Sequence, residues 1–255
     1  MLLAIDAGNS NVTLAVFYGE ELQVHWRLAT NLAQTSDEYG ATLRHLFQLA
    51  DLKEKDLEAI VIASVVPALN LTLQRMTETY FKLTPIFVDH TTRTGLKIDY
   101  DSPADLGADR IVDAVAAVAK YGAPCIVVDF GTATTFNAIN AAGEFVGGAI
   151  SPGLMTCSEA LFLRAAKLPR VEFAKPASVI GSSTVSAMQS GLYHGYAGLV
   201  DGVLQRMIAE LGAVPRVIAT GGLAHSIAPA SQFISEVDDT LTLEGLRLVY
   251  ERITA

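Results

Sequence analysis

An apolar strand that ends in aspartate and runs into a glycine turn occurs twice in this chain, once in each half. The first is Leu2-Leu3-Ala4-Ile5-Asp6-Ala7-Gly8-Asn9-Ser10-Asn11; the second is Cys125-Ile126-Val127-Val128-Asp129-Phe130-Gly131-Thr132-Ala133-Thr134-Thr135. An unbroken apolar run suits a strand buried on both faces at the centre of a sheet. The aspartate then stands at the strand's mouth, where a turn of amides and hydroxyls can take phosphate oxygens and the carboxylate can take their cation. Gly and Asn also make plain hairpins because they tolerate positive φ, so one such turn says little. An aspartate at the same place in both halves favours a phosphate grip.

The elements around each turn repeat as well. Residues 2–7, 12–18 and 22–28 read as a three-strand meander. A helix follows from Ser36 to Leu49, with Ser36 as N-cap and Asp37 and Glu38 at the positive end of its dipole. A buried strand is expected over Ala59 to Ala63, a helix over Pro67 to Phe81 and a strand over Ile86 to Val88. Asp89 to Gly107 is polar and irregular, a functional loop or a crossover. Ala108 to Tyr121 is again helical. The pattern then restarts, with strands at 125–129, 133–139 and 145–150 and helices at 153–166 and 182–211. A strand over Arg216 to Ala219, a short helix opened by Gly221-Gly222, a strand over Phe233 to Val237 and a helix over Thr242 to Arg252 complete the chain. Both halves read β-β-β-α-β-α, an internal duplication visible in element order. It predicts two α/β domains, 1–114 and 115–255, with a ligand cleft between them.

Composition limits the partners. Hydrophobic residues make up 51 % of the chain and aromatics only 7 %, so aliphatic packing must fill the core. A net charge of −9 argues against nucleic-acid binding, which rests on neutralised phosphates. It leaves room for a small anionic substrate held by local amides and a few basic groups. Cys125 and Cys157 lack metal-ligand spacing, and free thiols are the expectation. Asp6 interrupts the first apolar run too early for a signal peptide, and no run approaches the ~20 residues of a membrane helix. A cytoplasmic protein with no membrane association is expected.

No Walker sequence and no G-x-G-x-x-G after a strand is present, so phosphate handling must use other parts. Thr132, Thr134 and Thr135 form a hydroxyl cluster beside the second turn. Gly221-Gly222, after an apolar strand, either ends that strand or lets a flat adenine approach the backbone. Gly107-Ala108-Asp109-Arg110 stands at a loop-to-helix junction. Asp109 there either complements the helix dipole or serves as a base for a substrate hydroxyl, with Arg110 on an anionic substrate group. The five histidines are scattered and show no ligand spacing, and Trp26 is expected to pack.

Together these residues resemble the type III pantothenate kinase family, within the superfamily of actin, hexokinase and acetate kinase. Asp6 to Asn11 is similar to its first phosphate motif, with Ser10 where Thr is usual. Asp129-Phe130-Gly131-Thr132 is similar to the second, and Thr220-Gly221-Gly222 to the adenosine motif. Tyr100, Pro103 and Leu106-Gly107-Ala108-Asp109-Arg110 resemble the pantothenate-binding stretch. Thr184 with Ala187-Met188-Gln189-Ser190-Gly191 resembles a further family signature.

The resemblance implies two similar ribonuclease H-like, actin-like α/β domains, each a mixed sheet with flanking helices. It implies ATP-dependent phosphorylation of pantothenate, the first step towards coenzyme A. Asp6 would take a divalent cation such as Mg²⁺. Asp6, Ala7, Gly8, Asn9, Ser10, Asn11, Val12 and Thr13 would line ATP and its phosphates with Gly131, Thr132, Gly221 and Gly222. Asp109 would be the proton acceptor, and Tyr100, Gly107, Ala108, Arg110 and Thr184 would contact pantothenate. The family's monovalent cation, K⁺ or NH₄⁺, would sit at Asp129. A homodimer is implied, with the helix from Ser182 to Leu211 either its interface or a core helix. The rivals are another small-molecule kinase or phosphatase of the superfamily and a non-catalytic ATP-binding regulator.

Overall fold

The two strands that carry the aspartates are built alike. In the computed structural model, which describes residues 1–255, β1 (Leu2–Ala7) and β6 (Cys125–Phe130) are buried throughout except at Asp6 and Asp129, which are half-buried. Each is the central strand of a five-stranded mixed sheet. Each pairs antiparallel with the strand that follows it and parallel with the first strand of the next crossover.

The first sheet runs β3 (Glu21–Ala29), β2 (Asn11–Tyr18), β1, β4 (Ala59–Ser64), β5 (Ile86–Phe87). The second runs β8 (Phe145–Pro152), β7 (Ala133–Ile139), β6, β9 (Arg216–Thr220), β10 (Glu236–Val237). The duplication read from element order is therefore a duplication of topology.

Two compact units divide the chain. The first comprises Met1–Leu96, Asp101–Ala116 and Leu241–Ala255; the second comprises Lys97–Tyr100 and Ala117–Thr240.

In the first unit the period-two alternation of β1 and β2 sends side chains to both faces of the sheet, and each face is covered. Leu3, Ile5, Leu14 and Val16 pack on Tyr39, Leu43 and Phe47 of α1 (Ser36–Leu49) and on Leu69, Leu73 and Met76 of α2 (Pro67–Met76). On the other face Leu2, Ala4, Ala15 and Val61 meet Val112 and Val115 of α3 (Ala108–Tyr121), with Leu243, Leu246 and Val249 of α7 (Leu241–Thr254). Gly245 brings α7 close to α3, since a methyl group there would lie 2.1 Å from the Val112 carbonyl oxygen. Trp26 packs against Phe47, with ring centroids 5.9 Å apart.

In the second unit Ile126, Val128, Phe136, Val217 and Ala219 pack on Met188, Leu192, Tyr196, Val200 and Leu204 of α5 (Thr184–Leu211). Leu154 of α4 (Leu154–Arg164) and Ala224 and Ile227 of α6 (Ala224–Ile227) join the same core. Both cysteines are free. No helix is long and apolar enough to cross a membrane.

Three local expectations change. The N-cap of α1 is Thr35, not Ser36: its hydroxyl accepts from the Glu38 amide while the Glu38 carboxylate accepts from the Thr35 amide, a full capping box. The helix expected to reach Phe81 ends at Met76 and continues as a π turn over Thr77–Phe81, closed by Lys82 in a left-handed conformation. The strand expected over 233–237 is paired only at Glu236–Val237.

Candidate active site

Asp6 lies opposite Thr13 on β2 and Ala63 on β4, at the carboxyl edge of the first sheet. Ala7 and Val12, the last pair before the turn, are buried; Asn9, Ser10 and Asn11 are exposed. The carbonyls of this turn are drawn back into the protein. The Gly8 amide donates to the Asn11 carbonyl at 2.9 Å, and the Thr30 amide donates to the Ser10 carbonyl at 3.0 Å. The Thr30 hydroxyl donates to the Gly8 carbonyl at 2.6 Å. Engaging these oxygens removes repulsive dipoles from the approach of an anion. Thr30 belongs to no motif. The meander's register could have found it, because Asn11 pairs with Ala29 and so places residue 30 beside Ser10.

The Gly107–Arg110 stretch joins the same sheet edge. The Val65 amide, just past β4, donates to the Ala7 carbonyl at 3.1 Å. Val65 also packs on Gly107: a methyl group there would lie 3.2 Å from Val65 Cγ1 and 2.5 Å from Asp109 Oδ1. The glycine therefore makes room for the Asp109 carboxylate to fold back over the start of α3, where Oδ1 accepts from the Arg110 amide at 2.7 Å. Burial pushes the Asp109 carboxyl above the usual aspartate range, against the opposing pull of the Arg110 amide and the Arg110 charge. Ala108 and Arg110 are buried.

In the second unit Asp129 pairs with Thr135 on β7 and Thr220 on β9, and two glycines flank its carboxylate. A methyl group on Gly221 would lie 2.3 Å from Asp129 Oδ1, and one on Gly131 would lie 3.5 Å from Oδ2. The turn at Thr132 is braced from α4. The Gly153 amide donates to the Thr132 carbonyl at 3.0 Å and the Thr156 hydroxyl donates to it at 2.8 Å. Gly153 is itself pressed to within 2.4 Å of the Gly131 and Thr132 carbonyl oxygens at its would-be methyl position.

The hydroxyl cluster divides. Thr132 is exposed on the turn, whereas the buried Thr134 hydroxyl bonds the Tyr196 hydroxyl at 2.5 Å, and Thr135 accepts from the Asn137 amide group at 3.3 Å. Thr134 is a core contact, because strand alternation turns it towards α5.

Gly222 is exposed after β9. Thr184 is the exposed first residue of α5, which is capped by Ser183. In the signature that follows, Gln189 donates to the Glu172 carbonyl at 3.0 Å and Ser190 to the Val179 carbonyl at 2.5 Å. These two side chains therefore fasten the irregular segment between α4 and α5. Tyr100 belongs to the second unit, although Gly107 to Arg110 belong to the first.

No group of three His, Cys, Asp or Glu side chains forms a metal cage. The donor sets suit cations shared with a ligand. Asp6 offers one carboxylate beside an amide-rich turn, which fits a divalent ion whose other positions are phosphate oxygens and water. Asp129 offers carboxylate oxygens flanked by two glycines.

Two like sheets, each with an Asp-x-Gly turn at the mouth of its central strand, define a fold of the actin and hexokinase class. A ROK hexokinase from Thermus thermophilus shares it, with a TM-score of 0.52 and 11 % identity over 99 % of each chain. So does the activator of 2-hydroxyisocaproyl-CoA dehydratase from Clostridium difficile, solved with ADPNP bound, with a TM-score of 0.55 and 12 % identity over 98 % of this chain and 95 % of that one. The family model for type III pantothenate kinase matches residues 2–206. The type III pantothenate kinase of Anaeromyxobacter sp. is 53 % identical over 252 residues, 99 % of each chain. The chain belongs to the type III pantothenate kinase family. It is an ATP-dependent kinase of pantothenate, acting in coenzyme A biosynthesis and using ATP with a divalent cation.

Proposed function

We propose that Asp109 is the base of this reaction, accepting the proton of pantothenate's primary hydroxyl as that oxygen bonds to the γ-phosphorus of ATP. The bond from the γ-phosphorus to the bridging oxygen breaks, and ADP leaves. The observation that carries this reading is the shared sheet edge: Ala7, Val65, Gly107 and Asp109 form one chain of contacts, linking the Asp6 turn to a carboxyl that burial makes more basic. Phosphoryl transfer needs in-line positioning and charge neutralisation more than covalent help.

Residues 1–114 carry the first phosphate turn and residues 115–255 the second. Asp6 holds Mg²⁺, and Ala7, Gly8, Asn9, Ser10, Asn11, Val12 and Thr13 line the phosphates. Gly131 and Thr132 take phosphate from the second turn, and Gly221 and Gly222 lie against the adenosine. Asp129 holds K⁺ or NH₄⁺; a bound cation neutralises phosphate charge, a duty no lysine performs beside either turn. Arg110 binds the pantothenate carboxylate and keeps positive charge near Asp109. Tyr100, Gly107, Ala108 and Thr184 complete the pantothenate site.

The protein is a cytoplasmic homodimer in this reading. Small residues at Ala187, Gly191, Gly195 and Gly198 leave one face of α5 exposed and open to close helix approach, which supports α5 as the interface.

The test is ADP release by the purified chain with ATP, Mg²⁺ and K⁺, with and without pantothenate. Release that requires pantothenate, K⁺ and Asp109 is expected. Turnover by Asp109→Asn close to that of the unaltered chain would remove Asp109 as the base.

A further inference from the structure

Between Leu96 and Asp101 the chain leaves the first compact unit and is built into the second. Four residues, Lys97–Tyr100, lie along the start of β8 as a single-residue extension of its sheet. Ile98 pairs in parallel with Phe145. The Phe145 amide donates to the Lys97 carbonyl at 2.9 Å, and the Asp99 amide donates to the Phe145 carbonyl at 2.8 Å. The Tyr100 ring stands edge-on to the Phe145 ring, with centroids 6.0 Å apart at 73°. Phe145 is fully buried, so it is a fixed reference for the segment.

Side chains repeat the attachment. Lys97 Nζ is 2.5 Å from Glu144 Oε1. The other Glu144 oxygen accepts from Asn140 Nδ2 at 2.9 Å, while Asn140 Oδ1 accepts from the Glu144 amide at 3.0 Å. Glu144 is therefore held by the β7–β8 turn before it meets Lys97. Both contacts favour its ionised form and hold its carboxyl below the usual glutamate range.

We propose that Lys97–Tyr100 is a strap that sets the position of Tyr100 for pantothenate, and that Glu144 is its positioning residue. This rests on the reading of Tyr100 as a pantothenate contact. The two hydrogen bonds to Phe145 fix the strap at one residue only, and the Lys97–Glu144 pair limits how far its entry end can swing about that point. Lys97 is 72 % exposed, and so open an ion pair contributes little to stability. Its loss should show in substrate placement rather than in folding.

The experiment measures the KM for pantothenate, the KM for ATP and the melting temperature in Glu144→Ala, Lys97→Ala, the double variant and Tyr100→Ala. Glu144→Ala and Lys97→Ala are each expected to raise the pantothenate KM about two- to fivefold, the most that so open an ion pair can supply to positioning. The ATP KM and the melting temperature stay near those of the unaltered chain. The double variant is no worse than either single one, because both remove the same clamp. Glu144→Gln, which can still accept from Lys97, recovers part of the loss. An unchanged pantothenate KM in Glu144→Ala, with a raised one in Tyr100→Ala, overturns the strap and leaves the Tyr100 assignment standing. An unchanged KM in Tyr100→Ala overturns that assignment and the strap with it. A parallel rise in the ATP KM, or a fall in melting temperature, assigns the clamp to general structure and overturns the proposal.

Discussion

Gly221 approaches Asp129 so closely that a methyl group on it would lie 2.3 Å from the carboxylate Oδ1, and 2.7 Å from the amide nitrogen of Phe130. Its φ of +89° is also one that side chains rarely adopt. The parallel register of β6 and β9 causes the approach, since Asp129 pairs with Thr220, the residue just before the glycine. Gly221→Ala is expected to cost about 2 kcal/mol or more from positive-φ strain and the clash together. With the monovalent cation at Asp129, as proposed, it should also raise the K⁺ concentration needed for half-maximal turnover, because the carboxylate must move. Gly212 is the control: its φ is +64° with open space around it, so Gly212→Ala should cost only about 1 kcal/mol and leave the K⁺ response alone. Melting curves and K⁺ titrations that make the two variants indistinguishable would refute the close fit at Asp129.

Thr30 holds the Gly8–Asn11 turn from outside the motif, through its amide on Ser10 and its hydroxyl on Gly8. Thr30→Val keeps the first bond and removes the second. Losing one partly buried hydrogen bond should cost about 1 kcal/mol of stability. With the phosphates at this turn, as proposed, the freed Gly8 carbonyl can rotate towards them, and the KM for ATP should rise more than the KM for pantothenate. Thr30→Ser, which restores the hydroxyl, should return both values. Equal effects on the two substrates would show that Thr30 supports the fold and not the turn.

The strands and the order of elements were legible because burial leaves a mark on sequence. β1 and β6 are apolar runs broken only at the half-buried aspartate, and α3 spans Ala108–Tyr121 as its periodicity predicts. Contacts made by single residues left no such mark. Ile98 pairs with one residue of β8, and one residue has no period to read. The π turn after α2 carries the same apolar spacing as a continuing helix, so its change of hydrogen bonding was invisible. The Gln189 and Ser190 latches reach carbonyls in an irregular segment whose path no local pattern sets. At the candidate site the motif residues were visible, whereas the residues that aim them, Thr30, Gly153 and Thr156, act through backbone carbonyls and carry no motif of their own.

Lys120 and Tyr121, at the end of α3, both bind one oxygen of the buried Asp238, at 2.6 and 2.8 Å. Burial opposes ionisation of Asp238, but Lys120, Tyr121 and the Thr240 amide outweigh it and hold the carboxyl below the usual range. The Tyr121 hydroxyl, half-buried and bonded to that carboxylate, is pushed up to about 12. A depressed carboxyl adds stability above its unfolded pKa of 3.8, and that stability is lost as pH falls through the lower folded value. Lys120→Met should therefore cost about 2–3 kcal/mol at pH 7, because it strands a buried charge. The deficit should shrink in acid, once the Asp238 of the variant, buried without its lysine, takes up a proton. Urea midpoints at pH 7 and in acid check this, and a deficit that does not change with pH would contradict the ion-pair account.

Asp109 carries the opposite sign. Burial raises its carboxyl above the ordinary 3.8, so the folded protein holds that proton more tightly than the unfolded chain does. Its contribution to stability is full below pH 3.8 and is lost as pH rises through the elevated folded value, leaving a net cost at pH 7. Asp109→Asn keeps an oxygen to accept from the Arg110 amide and removes the buried charge. It should melt higher than the unaltered chain at pH 7, by an amount worth about 0.5–2 kcal/mol, while losing turnover and still binding ATP. With Asp109 as the base, as proposed, the same elevation moves the acid limb of kcat/KM for pantothenate to higher pH than an ordinary aspartate would give, because only the ionised carboxylate can accept the proton. A pH profile and a melt on one pair of proteins test both ends of the argument. Stability and activity falling together in Asp109→Asn would mean that this carboxylate supports the fold, and the lost turnover would then no longer assign it as the base.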